Sequence, residues 1–175
     1  MNQKYKSAGT SINSGRVPAI VHLWDDCIFS GLTILDYGCG KYDNTREYLE
    51  ALGFRYFGYD PYNRSKEDNQ IAIMRADYDY AILSNVLNVI AEKHIRLQIL
   101  REIKTHLSEY GILYIKIYEG DRSGVMKVNE KKNSCQLNLK TSEYLPEVEA
   151  VFGSRNVRTE WCNGVHVIRA EKGGY

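Results

Sequence analysis

The sequence predicts an α/β fold in which a mostly parallel, doubly wound sheet ends in an antiparallel hairpin. Short apolar runs alternate along the chain with longer segments of helical periodicity, which is typical of a parallel sheet covered by helices on both faces. A turn rich in glycine follows the first run, as expected where a strand passes into a helix. Near the C-terminus two runs flank Asn163-Gly164, which is a strong hairpin signal.

The elements follow in chain order. Pro18 at a first-turn position and apolar residues at helical spacing predict a helix over about 18–29. A second helix begins at Asn44, the expected N-cap, and ends at Gly53; two more are predicted at 91–107 and 145–152. Strands are predicted at 32–36, 54–59, 71–74, 80–84, 112–118, 157–161 and 165–170. The segments 63–70 and 119–135 are predicted to be loops, the second one mobile.

Composition and charge narrow the classes of protein to which the chain can belong. Its 175 residues suit one domain, and we expect residues 1–175 to form it with residues 1–30 as an N-terminal cap segment. The net charge of +1 provides no field that attracts nucleic acid or an acidic membrane. Neither a membrane span nor a signal peptide is evident, so we expect a cytoplasmic protein. The cysteines and histidines lack zinc-ligand spacing, and no metal site is expected.

The turn between the first strand and the second helix is the candidate ligand site, with the sequence Asp36-Tyr37-Gly38-Cys39-Gly40. In an open α/β sheet, ligands bind at the carboxyl ends of the strands, and Gly38 and Gly40 let the backbone approach a ligand closely. The N-terminus of the following helix offers N–H groups to a carboxylate. Asp60 ends the next strand, where a carboxylate can accept both hydroxyls of a ribose. These features together indicate an adenosine-type ligand.

Charge distinguishes NAD from S-adenosylmethionine (SAM) as that ligand. The third glycine of a dinucleotide-binding G-x-G-x-x-G pattern is replaced here by Asp43. Asp36 and Asp43 would also place negative charge beside a pyrophosphate, which is unfavourable. SAM carries a sulfonium and an ammonium that a carboxylate such as Asp36 stabilises. The sequence therefore favours SAM and disfavours the alternative of an NAD-dependent oxidoreductase.

Several strings now support a resemblance to a known family. Leu35–Gly40 resembles the first motif of class I SAM-dependent methyltransferases, Tyr59-Asp60 resembles the acidic end of their second strand, and Ser84–Ile90 occupies the place of their fourth motif. Within that class the chain resembles a group of small bacterial and phage-type methyltransferases, some of them associated with DNA phosphorothioation loci. Ser84–Ile90 resembles that group, and three further strings do so as well, namely Thr10–Asn13, Tyr59–Asn63 and Tyr118–Asp121.

The resemblance implies a Rossmann-like fold with a seven-stranded sheet, SAM as the methyl donor, and roles for individual residues. It implies that the turn at the methionine end of SAM is lined by Asp36, Tyr37, Gly38 and Gly40. It also implies that Asp60 holds the ribose, that Pro61 and Tyr62 lie beside the adenine, and that Asn85 lies near the transferred methyl group. Tyr42 stands where many relatives have a third glycine, which leaves the path of the loop open.

The methyl acceptor is left open, although one class is disfavoured. Enzymes that methylate a nucleobase amine carry an acid or amide followed by two prolines, whereas Asn85 is followed by Val86-Leu87. Asn85 can position an acceptor, and Glu119 or Asp121 is a candidate base if the acceptor must lose a proton. Lys116 is expected to extend toward the end of the sheet rather than touch substrate. A non-catalytic SAM-binding regulatory or interaction module remains the alternative function.

Overall fold

A six-stranded sheet forms the centre of the computed structural model, which describes residues 3–10, 15–25 and 30–173. Its strands are β1 (Thr33–Tyr37), β2 (Arg55–Tyr59), β3 (Tyr78–Ser84), β4 (Leu107–Lys116), β7 (Val157–Cys162) and β8 (Val165–Glu171). The order across the sheet is β2-β1-β3-β4-β8-β7. The first four are parallel, and β8 and β7 add an antiparallel hairpin at one edge. The predicted fold class is therefore confirmed, with six strands in the central sheet rather than seven.

Helices cover the sheet and a small hairpin lies apart from it. The α-helices are α1 (Asn44–Ala51), α2 (Lys66–Met74), α3 (Lys93–His106) and α4 (Leu145–Phe152). Within the described part of the chain, the strands β5 (Lys127–Asn129) and β6 (Ser134–Gln136) pair with each other alone, in antiparallel register. On the N-terminal side, Ala19–Trp24 forms a 3₁₀ helix.

Both faces of the sheet are buried, which explains why β1 lacks a polar face. Leu35 and Tyr37 belong to the core cluster that contains the apolar stripe of α3 and α4. Ile34 points to the other cluster, where Trp24 packs. Successive residues of a strand face opposite sides of the sheet. All five residues of β1 are buried because one of the two core clusters packs against each side.

A buried ion pair joins α3 to α4. The Arg96 guanidinium donates to both carboxylate oxygens of Glu147 at 2.9 and 2.6 Å, and the two side chains are 7% and 8% exposed. Nη1 of Arg96 also donates to the main-chain oxygens of Ile90 and Ala91, at 2.8 and 3.0 Å. The pair therefore connects two helices with the segment that follows β3.

Five local predictions were wrong. The segment 63–70, predicted as a loop, contains the start of α2 (Lys66–Met74), and the segment 71–74, predicted as a strand, is the end of that helix. The N-cap Ser65 accepts a hydrogen bond from the Asp68 N–H at 3.0 Å. The predicted loop 119–135 contains the paired strand β5 and the start of β6. The helix predicted at 18–29 is a 3₁₀ helix over Ala19–Trp24, and residues 26–29 lie outside the described part. Asn44 is the first residue of α1 rather than its cap, and its amide donates to the Arg16 main-chain oxygen instead.

Candidate functional site

The glycine turn lies where the sheet changes direction. β1 has β2 on one side and β3 on the other, so the chain leaves β1 at the switch point at which open α/β sheets bind ligands. Gly38 and Gly40 have φ angles of +85° and +71°, a backbone region that residues other than glycine rarely adopt. A Cβ on Gly38 would stand 2.4 Å from Cγ2 of Val86. Both positions therefore need glycine, and Gly38 needs it for space as well as for conformation.

Arg64 holds the turn from outside, a role that the sequence did not suggest. Its Nε donates to the Gly40 main-chain oxygen at 2.8 Å and its Nη2 to that of Tyr42 at 2.8 Å. Nη1 is paired with the Asp43 carboxylate at 2.6 Å, and the Arg64 side chain is only 10% exposed. Asp43, whose charge disfavours a pyrophosphate, thus forms an ion pair with Arg64, which holds the glycine turn in place.

Asp60 faces the turn from the end of β2, as predicted. Its Oδ2 accepts from the Gly40 N–H at 3.0 Å, and its Oδ1 accepts from the N–H groups of Tyr62 and Asn63 at 2.9 and 3.0 Å. The Asn63 side-chain amide donates to both oxygens, at 3.1 and 3.2 Å. A ribose that bound this carboxylate would have to replace the Asn63 amide, the most easily displaced of these donors.

A cleft opens beside this turn, and we name it the glycine cleft. Its walls include Tyr37, Gly38, Gly40, Asp60, Pro61, Tyr62, Asn85 and the N-terminal residues 6–8. Its volume is about 150 Å³, below the ~300–1,000 Å³ of most ligand pockets. The N-terminal wall is attached by Ser7, whose hydroxyl donates to the Val89 main-chain oxygen at 3.1 Å. The bare backbone and Asp60 fit an adenosyl ligand, provided that the N-terminal wall moves outward.

Asp36 does not take the position expected for it. Its Oδ2 accepts from the Tyr56 hydroxyl at 2.8 Å, its exposure is 3%, and it is not part of the wall of the glycine cleft. Burial raises the pKa of Asp36 to about 7, against the opposing effect of the Tyr56 hydrogen bond. The expected direct contact with a sulfonium or ammonium is therefore corrected: Asp36 lies beneath the turn and is hydrogen-bonded to Tyr56.

A second cleft lies on the other side of Asn85, and we name it the tryptophan cleft. Its volume is about 670 Å³. Among the residues that line it are Asn85, Lys116, Glu119, Asp121, Trp161 and His166. Asn85 has a φ angle of +57°, and its N–H donates to the Lys116 main-chain oxygen at 2.8 Å. Asn85 is thus held at the end of β3, in the wall of both clefts.

The two candidate bases, Glu119 and Asp121, are already paired. One oxygen of Glu119 accepts from the N–H and the hydroxyl of Thr141, each at 2.7 Å, and the other pairs with Arg122 at 2.6 Å. These hydrogen bonds hold the pKa of Glu119 below its usual value despite the cost of burial. Asp121 pairs with Lys127 at 2.6 Å, and that hydrogen bond lowers its pKa as well. A lowered pKa makes both carboxylates weak proton acceptors.

The structure thus brings most of the predicted site residues together around Asn85. Seven of them line the glycine cleft, namely Tyr37, Gly38, Gly40, Asp60, Pro61, Tyr62 and Asn85 itself. Of the two named clefts, Glu119 and Asp121 line the tryptophan cleft. Of the string Thr10–Asn13, residues 11–13 lie outside the described part. Among the described residues, no three His, Cys, Asp or Glu side chains are grouped to hold a metal ion, and no helix is long and apolar enough to cross a membrane.

Comparison with known proteins gives one family and many structures of the same fold. Residues 14–147 match a family profile described as a methyltransferase domain, whereas a search of curated protein sequences gives no match. The chain is similar to 1,6-didemethyltoxoflavin-N1-methyltransferase from Burkholderia thailandensis, at 19% identity over 83% of this chain and 72% of that one, with a TM-score of 0.60.

Two further structures show the same architecture. A SAM-dependent methyltransferase from Methanosarcina mazei has 14% identity and a TM-score of 0.60, over 91% of this chain and 99% of that one. A TehB-like SAM-dependent methyltransferase from Corynebacterium glutamicum has 17% identity and a TM-score of 0.54, over 99% and 90%. At these identities the likeness concerns the fold, and it confirms the Rossmann-like α/β class.

Proposed function

We propose that this chain, a SAM-dependent methyltransferase of the methyltransferase domain family, binds its donor and its acceptor in separate clefts. The two clefts meet at Asn85. The glycine cleft would hold the donor and the tryptophan cleft the acceptor. The family assignment also decides against the NAD-dependent oxidoreductase that the sequence disfavours. Residues 1–175 are proposed to act as one domain.

The proposed donor contacts follow from the cleft wall. The bare backbone at Gly38 and Gly40 would lie against the methionine part of SAM, which supplies an electrophilic methyl group bound to a sulfonium. Asp60 would accept from the ribose hydroxyls in exchange for the Asn63 amide. Tyr62, which is 39% exposed at the rim, and Pro61 would flank the adenine.

The observation that carries the proposal is the shared position of Asn85. Methyl transfer is an in-line displacement, so the protein mainly has to align the acceptor with the methyl group. Such alignment can lower the activation free energy by roughly 7–11 kcal/mol. Asn85 lines both clefts, and a third one of about 330 Å³, so it lies where a donor and an acceptor can be brought into line. The Asn85 amide can donate to an acceptor oxygen or accept from a nitrogen, but it cannot serve as a base.

Calorimetry with SAM and with S-adenosylhomocysteine tests the donor site. We expect Gly38→Ala to weaken binding of either ligand by at least about tenfold, because its Cβ would collide with Val86 and its φ angle is strained. Gly153→Ala is the matched control, since it has a φ angle of +88° with nothing closer than 3.7 Å and lies outside the cleft. Absence of binding to the unmodified chain would end the proposal, and equal weakening in both variants would end the role of Gly38.

One observation supports a second candidate function, a SAM-binding module without transfer. Glu119 and Asp121 are both paired, so neither offers an unengaged carboxylate base. Incubation with methyl-labelled SAM and pools of protein, nucleic acid and metabolites separates the two functions. A labelled product favours the enzyme, whereas tight SAM binding with no labelled product favours the module. A nucleobase amine remains a disfavoured acceptor, and a cytoplasmic location remains a prediction of the sequence.

A further inference from the structure

The tryptophan cleft contains an aromatic platform next to the donor site. Trp161 and His166 stand opposite each other on β7 and β8, with ring centroids 4.7 Å apart and planes inclined by 14°. Trp161 is 73% exposed although it lines a cleft. A large aromatic ring held flat by a stacked neighbour and open to a cavity is a surface on which a second planar ring can stack.

The charges in the cleft distinguish between acceptors. Both carboxylates are engaged, Glu119 by Thr141 and Arg122 and Asp121 by Lys127. The cation that faces the cleft beside Asn85 is Lys116, and the structure describes one hydrogen bond of its amine, to the Ile117 main-chain oxygen at 3.1 Å.

An ammonium has three donors, so Lys116 retains capacity to bind a ligand oxygen. Arg122 is paired with Glu119, so the Lys116 amine is the group of this cleft that can meet a ligand oxygen. A hydroxyl that ionises would be stabilised there. The cleft therefore favours an oxygen acceptor over a basic nitrogen.

We propose that the tryptophan cleft takes a planar aromatic compound that carries a hydroxyl group, with its ring on the Trp161–His166 platform and its hydroxyl beside the Lys116 amine. This inference rests on the proposed function, because it supplies the acceptor for that donor site. The cavity volume of about 670 Å³ is in the range that holds a small molecule of two or three rings.

Lys116 is the remaining candidate base of this cleft, since Glu119 and Asp121 are both paired. Burial lowers the pKa of Lys116, an effect that the Glu119 carboxylate opposes. The other ionisable side chains that line the cleft are those of Tyr118, Asp121, Arg122 and His166. In its neutral form, which burial favours, the Lys116 amine takes the proton of the hydroxyl and becomes the ammonium beside the acceptor oxygen. The acceptor oxygen forms a bond to the methyl carbon. The electron pair of the broken sulfur–carbon bond stays on sulfur, and Lys116 returns the proton to solvent.

Binding of 2-naphthol to the full chain saturated with S-adenosylhomocysteine tests the inference. We expect saturable binding that is at least about tenfold tighter than that of the non-planar decahydro-2-naphthol, and a naphtholate absorption band that rises on binding at mildly alkaline pH, because a nearby cation lowers an acid pKa by roughly one to three units. Trp161→Ala should abolish the preference for the planar ring. Lys116→Met should abolish the gain in naphtholate.

Matched controls separate these effects from general damage. Tyr110→Ala removes an equally exposed aromatic residue, 72% exposed, near the opposite end of β4 from Lys116, and should bind like the unmodified chain. Lys104→Met removes an amine that likewise donates to a main-chain oxygen, that of Val151 at 2.9 Å, and should leave the naphtholate band unchanged.

The possible outcomes separate this inference from the proposed function. If S-adenosylhomocysteine does not bind the unmodified chain, both fail. If it binds with unchanged affinity to the Trp161→Ala and Lys116→Met variants, the donor site is intact and any defect belongs to the acceptor site. The inference alone is overturned if 2-naphthol fails to bind, binds no better than its saturated analogue, or retains its preference in Trp161→Ala. It is equally overturned if the naphtholate band persists in Lys116→Met.

Discussion

Substitution of Glu147 by glutamine should destabilise the protein strongly, because it removes one charge from the buried pair with Arg96. Glutamine keeps the shape of the side chain and one oxygen acceptor. Its amide group, however, would face the guanidinium where the second carboxylate oxygen now accepts a hydrogen bond. Arginine stays protonated, so the charge would remain buried with only part of its hydrogen bonding satisfied.

The expected cost follows from the burial of the pair. Since the Arg96 and Glu147 side chains are 7% and 8% exposed, water screens their interaction little. Removal of one partner from such a pair costs about 3–5 kcal/mol. For a chain of this size, about 2–4 °C of melting temperature is lost per kcal/mol, which gives a decrease of about 6–20 °C.

Urea unfolding at neutral pH, analysed with a common m-value, measures this change. Glu149→Gln is the matched control, because it makes the same change of charge on the same helix at a half-exposed position, and it should alter stability by less than about 0.5 kcal/mol. The double variant Arg96→Met/Glu147→Leu leaves no uncompensated charge and should be more stable than Glu147→Gln, although it also removes the Arg96 hydrogen bonds to Ile90 and Ala91.

The reasoning would be refuted if Glu147→Gln lowered the free energy of unfolding by less than about 1 kcal/mol. A buried guanidinium without its counter-ion should destabilise the folded state by more than that. A double variant as unstable as the single one would also refute it. That result would mean that the shape of the contact, rather than the uncompensated charge, stabilises the α3–α4 interface.

Two further predictions concern the glycine turn. Burial raises the pKa of Asp36 from 3.8 to about 7, so between these values the folded state keeps a proton that the unfolded chain releases, and stability falls as pH rises through that window. In urea unfolding, the unmodified chain should lose about 2–3 kcal/mol more than Asp36→Asn between about pH 5 and about pH 8, and identical pH dependence would contradict this. Arg64→Lys should weaken SAM binding by about tenfold in calorimetry, because an ammonium cannot contact Gly40, Tyr42 and Asp43 together. Unchanged affinity would show that the loop does not need all three contacts of the guanidinium.

Local sequence signals were sufficient wherever an element is defined by neighbouring residues. The strand at 32–36, the glycine turn and the hairpin at Asn163-Gly164 were predicted because periodicity and turn chemistry act over a few residues. The segment 71–74 shows where such signals fail. Its apolar residues suggested a strand, yet Ile71 and Met74 are 60% and 76% exposed on a helix that the Ser65 cap begins.

The sequence by itself therefore determined the α/β class, the turn at Gly38 and the acid at the end of β2, since each depends on contacts short in sequence. Only the tertiary structure decided which groups meet across the chain. It turned Asp36 toward Tyr56, placed Arg64 on the loop, and set Trp161 and Lys116 around one cleft. These partners are brought together by strand order and helix packing, which periodicity does not encode. Their pKa values are shifted by burial, which exists only in the folded chain.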